Sequence, residues 1–466
     1  MHGPVRVPQA AGVGPAKVTV SFEAWKDGHI AASERQLSVV APPSDLQYQA
    51  VSPRLRQTLV HPDQSGFMVG LCYSADGRLV LAGQSFSGVV QVWDAASGRQ
   101  QKSIETGPRG LSIFDYFQLS PEGRFLYVNH GKGNIRVIRG KEKILYHYDF
   151  SGSVRSWDIA TGKPHRPFQL PPQRGVHDMQ LSPDGSRLLT GETLSGDYEP
   201  AKPKRFTTLW DTQKALPCAT FPDKTVFTFT FSPDSKTILT SAVNDKGETT
   251  DFLLLDAVSG KIQRTIAFDH KHRKTFYRAF SPDGKQMAWD VRDAATEDHW
   301  LKLWDIASGR EIASFEGEKN ATFRQPVFSP DGRMLAAITM LGKATKLYLI
   351  DARKQKLVKI VSLGATNPRN RRPVFSPDSK WVAIVSQAFP ANRSIHFLKA
   401  EELPQPRILI FEAATGELRE TIVAPPGIPM SVCFSPDGKT LASGGDGRVL
   451  LWDMTTPAGA RSQNRH

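Results

Sequence analysis

The chain has 466 residues, 39% hydrophobic and 23% charged, with a net charge of +13. That balance excludes a disordered or fibrous chain. No run of about 18 apolar residues argues for a membrane span, and three cysteines, Cys72, Cys218 and Cys433, are too few for a disulfide framework.

In chain order, the first fifteen residues, "MHGPVRVPQAAGVGP", lack the apolar core of about 7–15 residues that a secretory leader needs. On that ground the chain reads as cytoplasmic, or as exported if its true start lies upstream. Residues 1–45 form a short N-terminal β segment: "AKVTVSFEAW" at 16–25 and "RQLSVVAP" at 35–42 alternate like strands around "KDGHIAAS". They resemble the last strands of a β-sandwich module of the kind seen in large exported bacterial proteins, the alternative being strands that pack on the repeats that follow. Residues 46–55 read as a linker.

From there two short phrases recur in fixed order, eight times each. The first is a turn phrase: "YSADG" at 73–77, "LSPEG" at 119–123, "LSPDG" at 181–185, "FSPDS" at 231–235, "FSPDG" at 280–284 and 328–332, "FSPDS" at 375–379 and "FSPDG" at 434–438. Serine and proline suit the first two places of a tight turn, and glycine accepts the left-handed conformation that follows. Ser235 and Ser379 replace that glycine and are expected to strain their turns slightly.

The second phrase ends an alternating strand, as in "VWDAASG" at 92–98 and "LWDIASG" at 303–309. Its large apolar residue and aspartate give a repeating structural set: Trp93, Trp157, Trp210, Trp304 and Trp452, with Asp94, Asp158, Asp211, Asp256, Asp305, Asp351 and Asp453. Each repeat unit therefore reads as four antiparallel strands, with the tryptophan packing between neighbouring sheets.

This pattern resembles the WD-repeat β-propeller family, in its degenerate, bacterial-type form. The resemblance implies an all-β fold of eight four-stranded blades, or seven if one unit is distorted, with unit two the candidate. Family members place a Gly-His before the first strand, whose histidine joins Ser or Thr, Asp and Trp in a buried network. Here the last unit supplies Ser443, Asp446 and Trp452 without that Gly-His, and His177 is the nearest approach.

The propeller is expected to span 56–453. The last unit lacks a fourth strand, and "RQTLVH" at 56–61 parallels "RETIVAP" at 419–425, so Arg56–His61 is expected to complete it. Residues 130–154 and 388–406 read as insertions, the first as an extra hairpin. Residues 454–466 read as a flexible tail.

In blades of this family the two tight turns share one face, and the longer connections share the other. The basic phrases "AKPKR" at 201–205, "DHKHRK" at 269–274 and "NPRNRR" at 367–372 fall on the longer-loop face. Lys202, Lys204, Arg205, Lys271, Arg273, Lys274, Arg369, Arg371 and Arg372 are the candidate partner contacts, against a reading as plain solvated loops. Asp197, Glu199, Glu248, Asp293 and Glu297 lie in the same loops, and stacking aromatics are sparse, which argues against nucleic acid.

No nucleophile elbow, phosphate-cradling loop or dinucleotide fingerprint occurs. His270 and His272 sit among lysines, a poor place for a metal. "DAVSGKIQRT" at 256–265 is similar to turns of quinone-cofactor dehydrogenases, but the tryptophan those units carry after Gly-Lys is replaced here by Ile, Pro, Arg or Leu. The sequence thus points to no cofactor and to a non-catalytic scaffold that binds another protein or peptide. The alternative is a propeller enzyme or small-molecule binder using the central channel.

Overall fold

The computed structural model describes residues 16–26, 29–39 and 52–455, apart from 53, 62–67, 85–87, 108–116, 140–143, 195, 199–203, 223–228, 244–248, 268–272, 275–276, 294–295, 297, 320, 342–343, 366–371, 387–405, 426–430 and 446. The chain divides into two compact units, Met1–Val51 and Ser52–His466.

In the first unit, strands Ala16–Lys26 and His29–Val39 pair antiparallel, from Ala16 opposite Val39 to Lys26 opposite His29. The ladder runs through most of the stretch read from sequence as a loop.

The second unit holds eight antiparallel sheets, and its described residues contain no helix. Blade 1 spans 68–105, blade 2 117–168, blade 3 174–222, blade 4 229–267, blade 5 273–316, blade 6 322–365 and blade 7 374–423. Blade 8 takes three strands from 431–453 and its fourth, Leu55–Val60, from the start of the unit. That strand pairs with Arg448–Asp453, from Leu55 opposite Trp452 to Val60 opposite Arg448. The His61 amide adds a bond to the Gly447 carbonyl at 2.8 Å. Arg54 secures the approach, donating to Glu420 of blade 7 and, at 2.8 Å, to the Asp453 carbonyl.

First strands of neighbouring blades pack on one another, including Ser431–Phe434 of blade 8 on Met68–Tyr73 of blade 1, so the sheets form a closed ring with first strands innermost. The turns repeat the circle. Gly185 sits over Pro121 of the preceding blade, Gly284 over Pro233 and Gly332 over Pro282, while Gly77 of blade 1 sits over Pro436 of blade 8.

The apolar clusters lie between blades, each drawing on two neighbours. Leu59, Ala442, Val449 and Leu451 of blade 8 enclose Trp93, Val80 and Ala82 of blade 1. Leu81, Val90, Val92 and Ile104 of blade 1 enclose Trp157 of blade 2. Trp210 and Trp304 insert in the same way into blades 2 and 4. A ring of this kind is stable because every blade shields a neighbour's apolar face.

Blade 2 departs from the pattern. The insertion expected as a separate hairpin is a continuation of the blade: Phe125–Arg139 and Ile144–Asp158 pair without a break from Phe125–Asp158 to Arg139–Ile144. Gly196–Tyr198, from the second connection of blade 3, adds a short strand against Tyr146–Tyr148 of this ribbon. The blade's own outer strand is reduced to two bridges, Val154 with Phe168 and Trp157 with Pro164.

Candidate functional site

The two ends of the blades differ in chemistry. At the end formed by the first and third connections, the sequence closes each turn on itself. In seven blades the turn serine is buried and donates its hydroxyl to the aspartate two residues on, at 2.5–2.6 Å. The same oxygen accepts the amide five residues on at 2.9–3.0 Å. Blade 2 carries Glu122 instead, and Ser120 keeps only the second bond. The serine hydroxyl is the chief reason that Asp76, Asp234, Asp283 and Asp437 are held below the usual carboxylate range.

The third connection is closed by the repeat aspartate, which accepts from Ser97 in blade 1, Ser259 in blade 4 and Ser308 in blade 5, amide and hydroxyl both at 2.6–2.7 Å. These groups are occupied with each other, while Arg78, Lys236, Lys285, Arg333, Lys380 and Lys439, which follow the turns, are exposed.

The two turns that lack glycine keep its backbone: Ser235 and Ser379 both have φ of +62°. Each also gains something glycine cannot provide. Ser235 Oγ accepts the Asp184 amide of blade 3 at 2.9 Å, and Ser379 Oγ accepts the Asp331 amide of blade 6 at 3.1 Å. The expected strain is therefore offset by a bond between blades, which sequence spacing alone does not display.

The buried tryptophan networks survive in altered form. Trp452 Nε1 donates to Ser443 Oγ at 2.9 Å. In blade 3, Trp210 Nε1 donates to Thr190 Oγ1 at 2.8 Å, and Thr190 donates to Glu192 Oε1 at 2.8 Å. Glu192, fully buried, takes Arg174 Nη1 on its other oxygen at 3.2 Å, and that guanidinium lies 3.5 Å over the Phe206 ring. A glutamate and an arginine thus fill the network for which the sequence reading looked for a histidine. The signal was a glutamate inside the buried run of the strand "RLLTGETL".

The opposite end carries the second connections and the links between blades, to which the basic phrases singled out from the sequence belong. Lys204 is exposed and its carbonyl accepts the Leu194 amide at 2.9 Å. Arg205, half-buried, opens the third strand of blade 3 opposite Thr193. Arg372 is exposed just before Val374–Phe375. Arg273 and Lys274 are not loop residues: they form a short inner strand paired with Asp293 and Arg292, so an acid lies across the ladder from Arg273. Lys202, Lys271, Arg369 and Arg371 lie outside the described residues, as do His270 and His272. Among the described residues, no three His, Cys, Asp or Glu side chains group as a metal site.

Cys72 and Cys433 occupy matching places on the inner strands of blades 1 and 8, either side of the seam. Burial pushes the Cys72 thiol up to about 12 and raises Cys433 as well. Neither is a ready nucleophile.

This geometry defines a closed β-propeller of eight four-stranded blades. The family model for the WD domain, G-beta repeat, matches residues 54–94 and 417–453. Each match begins in the outer strand of one blade and ends in the third strand of the next, so the repeat is offset from the blade by one strand. These two matches and the eight-bladed ring support a WD-repeat propeller family. No curated protein matches the chain.

Proposed function

We propose that the chain is a non-catalytic scaffold that binds another protein or peptide through its longer-loop face. The contacts would come from Lys202, Lys204, Arg205, Lys271, Arg273, Lys274, Arg369, Arg371 and Arg372. One observation supports the reading: the turns at one end are short, uniform and closed by their own hydrogen bonds, while the long, variable connections gather at the other end. A rigid ring with one variable, charged face suits binding, with specificity resting on a few buried contacts. Quantitative pull-downs with the wild type and with these nine residues changed to glutamine test it. Loss of a saturable, salt-sensitive partner from the variant is expected. Identical partner lists would remove the basic loops from the account.

A further inference from the structure

The last strand of blade 6, Lys356–Ala365, is an open sheet edge that differs from its counterparts. It runs for 10 residues, where the outer strands of blades 1, 3, 4, 5, 7 and 8 run for 6 or 7. Blade 3 guards its edge with Pro217 and Pro222. Other blades tie an outer-strand side chain to the next blade. Gln57 of blade 8 donates to the Ser97 carbonyl at 2.6 Å, Lys102 of blade 1 to that of Ile159 at 3.2 Å, and Arg264 of blade 4 to that of Ile306 at 2.8 Å. Lys359 of blade 6 lies over Gly416 of blade 7 in the same way. Among the described residues, however, neither Lys359 nor Lys356 makes a hydrogen bond or ion pair.

The two sides of this edge carry different chemistry. Lys356 stands opposite Asp351 and Lys359 opposite Leu349, while Leu357 stands opposite Ile350 and Ile360 opposite Tyr348, with Val358 the extra residue of a bulge. Ile350 and Tyr348 pack toward blade 5, and Leu349 packs toward blade 7. The register therefore sets both lysines on one side of the strand and both apolar residues on the other. All four are exposed, Leu357 at 44% and Ile360 at 42%. No acidic residue occurs from 352 to 365.

We propose that this edge takes up an extended peptide as a fifth strand, in which apolar side chains against Leu357 and Ile360 alternate with acidic ones against Lys356 and Lys359. Main-chain hydrogen bonds along an open edge supply affinity, and alternate side chains supply choice. The sheets of this chain already accept added strands: Leu55–Val60 completes blade 8, and Gly196–Tyr198 joins blade 2. Lysines at an edge repel a second copy of the same edge and attract a strand that brings acids. The edge is separate from the longer-loop face, and failure of either reading leaves the other standing.

Fluorescence anisotropy with the full chain tests it. The probe is a labelled peptide, Glu-Val-Glu-Val-Glu-Val-Glu, set against Glu-Glu-Glu-Glu-Val-Val-Val, which has the same composition without the alternation. The alternating peptide should bind saturably, about tenfold or more tighter than the scrambled one, and should slow amide exchange over Lys356–Ser362. Reversing both charges, Lys356→Glu with Lys359→Glu, should weaken it about tenfold or more and should admit Lys-Val-Lys-Val-Lys-Val-Lys instead. Ile360→Asp should weaken the acidic peptide to a similar degree. Ile262→Asp, at a 58% exposed place on the outer strand of blade 4, should bind as the wild type does. All these positions are exposed, so each variant should melt with the wild type, and lost binding then reports the edge rather than the fold. Equal binding of both acidic peptides, wild-type binding by the charge-reversed variant, or no binding overturns the proposal. A dimer of the free chain that Ile360→Asp dissolves also overturns it, by giving the edge to a second copy.

Discussion

Leu59 is the residue on which closure of the ring can be tested most directly. It is 2% exposed, sits in the fourth strand of blade 8, and packs with Trp93 and Val80 of blade 1 as well as Val449 and Leu451 of its own blade. Leu59→Ala removes three buried carbons and leaves a void at the seam, a change that costs about 2–5 kcal/mol in well-packed cores. In an open array that loss would fray the last blade alone. In a closed ring it weakens the joint that holds all eight. Cysteines report the difference: Cys218 is exposed, while Cys72 and Cys433 flank the seam with raised thiol pKa values. Labelling with a thiol reagent below the melting temperature should tag Cys218 at once in both proteins. Cys72 and Cys433 should label about 30-fold faster or more in Leu59→Ala, the factor that corresponds to the low end of that free-energy range. Leu418→Ala, at a 52% exposed position, is the control and should change neither rate nor melting temperature appreciably. Wild-type labelling rates and an unshifted melt in Leu59→Ala would refute the argument that this strand holds the circle shut.

Two further outcomes follow from the turns. Ser235→Ala keeps the left-handed backbone but loses the bond from the Asp184 amide, so it should be less stable than the wild type by about 0.5–1.5 kcal/mol in urea unfolding. Ser235→Gly loses the same bond but relieves the backbone by about 1 kcal/mol, and should fall close to the wild type. In acid, the depressed carboxyl groups of Asp76, Asp234, Asp283 and Asp437 have folded values below the reference of 3.8. Their contribution is therefore present above about pH 4 and is lost as pH falls through the folded values. Ser74→Ala, which deletes the chief cause of the Asp76 shift, should move the midpoint of acid unfolding upward, as followed by circular dichroism.

Much of the fold was legible because a propeller writes the same local chemistry into each unit. Two turn phrases gave the strand order, and the likeness of "RQTLVH" to "RETIVAP" gave the closing strand. The ribbon of blade 2 was read less well, because "HGKGN" carries the glycines of a loop yet runs extended within a 15-residue strand. Contacts between units were the hardest part. Ser235 looked like a defect in its turn, and its compensation comes from Asp184, 51 residues away in sequence. Glu192 and Arg174 were invisible to a reading that looked for histidine. Of the basic loops, sequence gave the charge and the end of the blade, and it missed that Arg273 and Lys274 belong to a strand.

The strand that completes the last blade is the first of the ring to be made. During synthesis, Leu55–Val60 leaves the ribosome nearly 400 residues before Arg448–Asp453, the segment it pairs with. At ordinary rates of translation that interval is roughly 20–80 s. Throughout it the nascent chain carries an unmated β edge and an uncovered tryptophan, Trp93, so the period before the two ends meet is when this protein has most need of a chaperone.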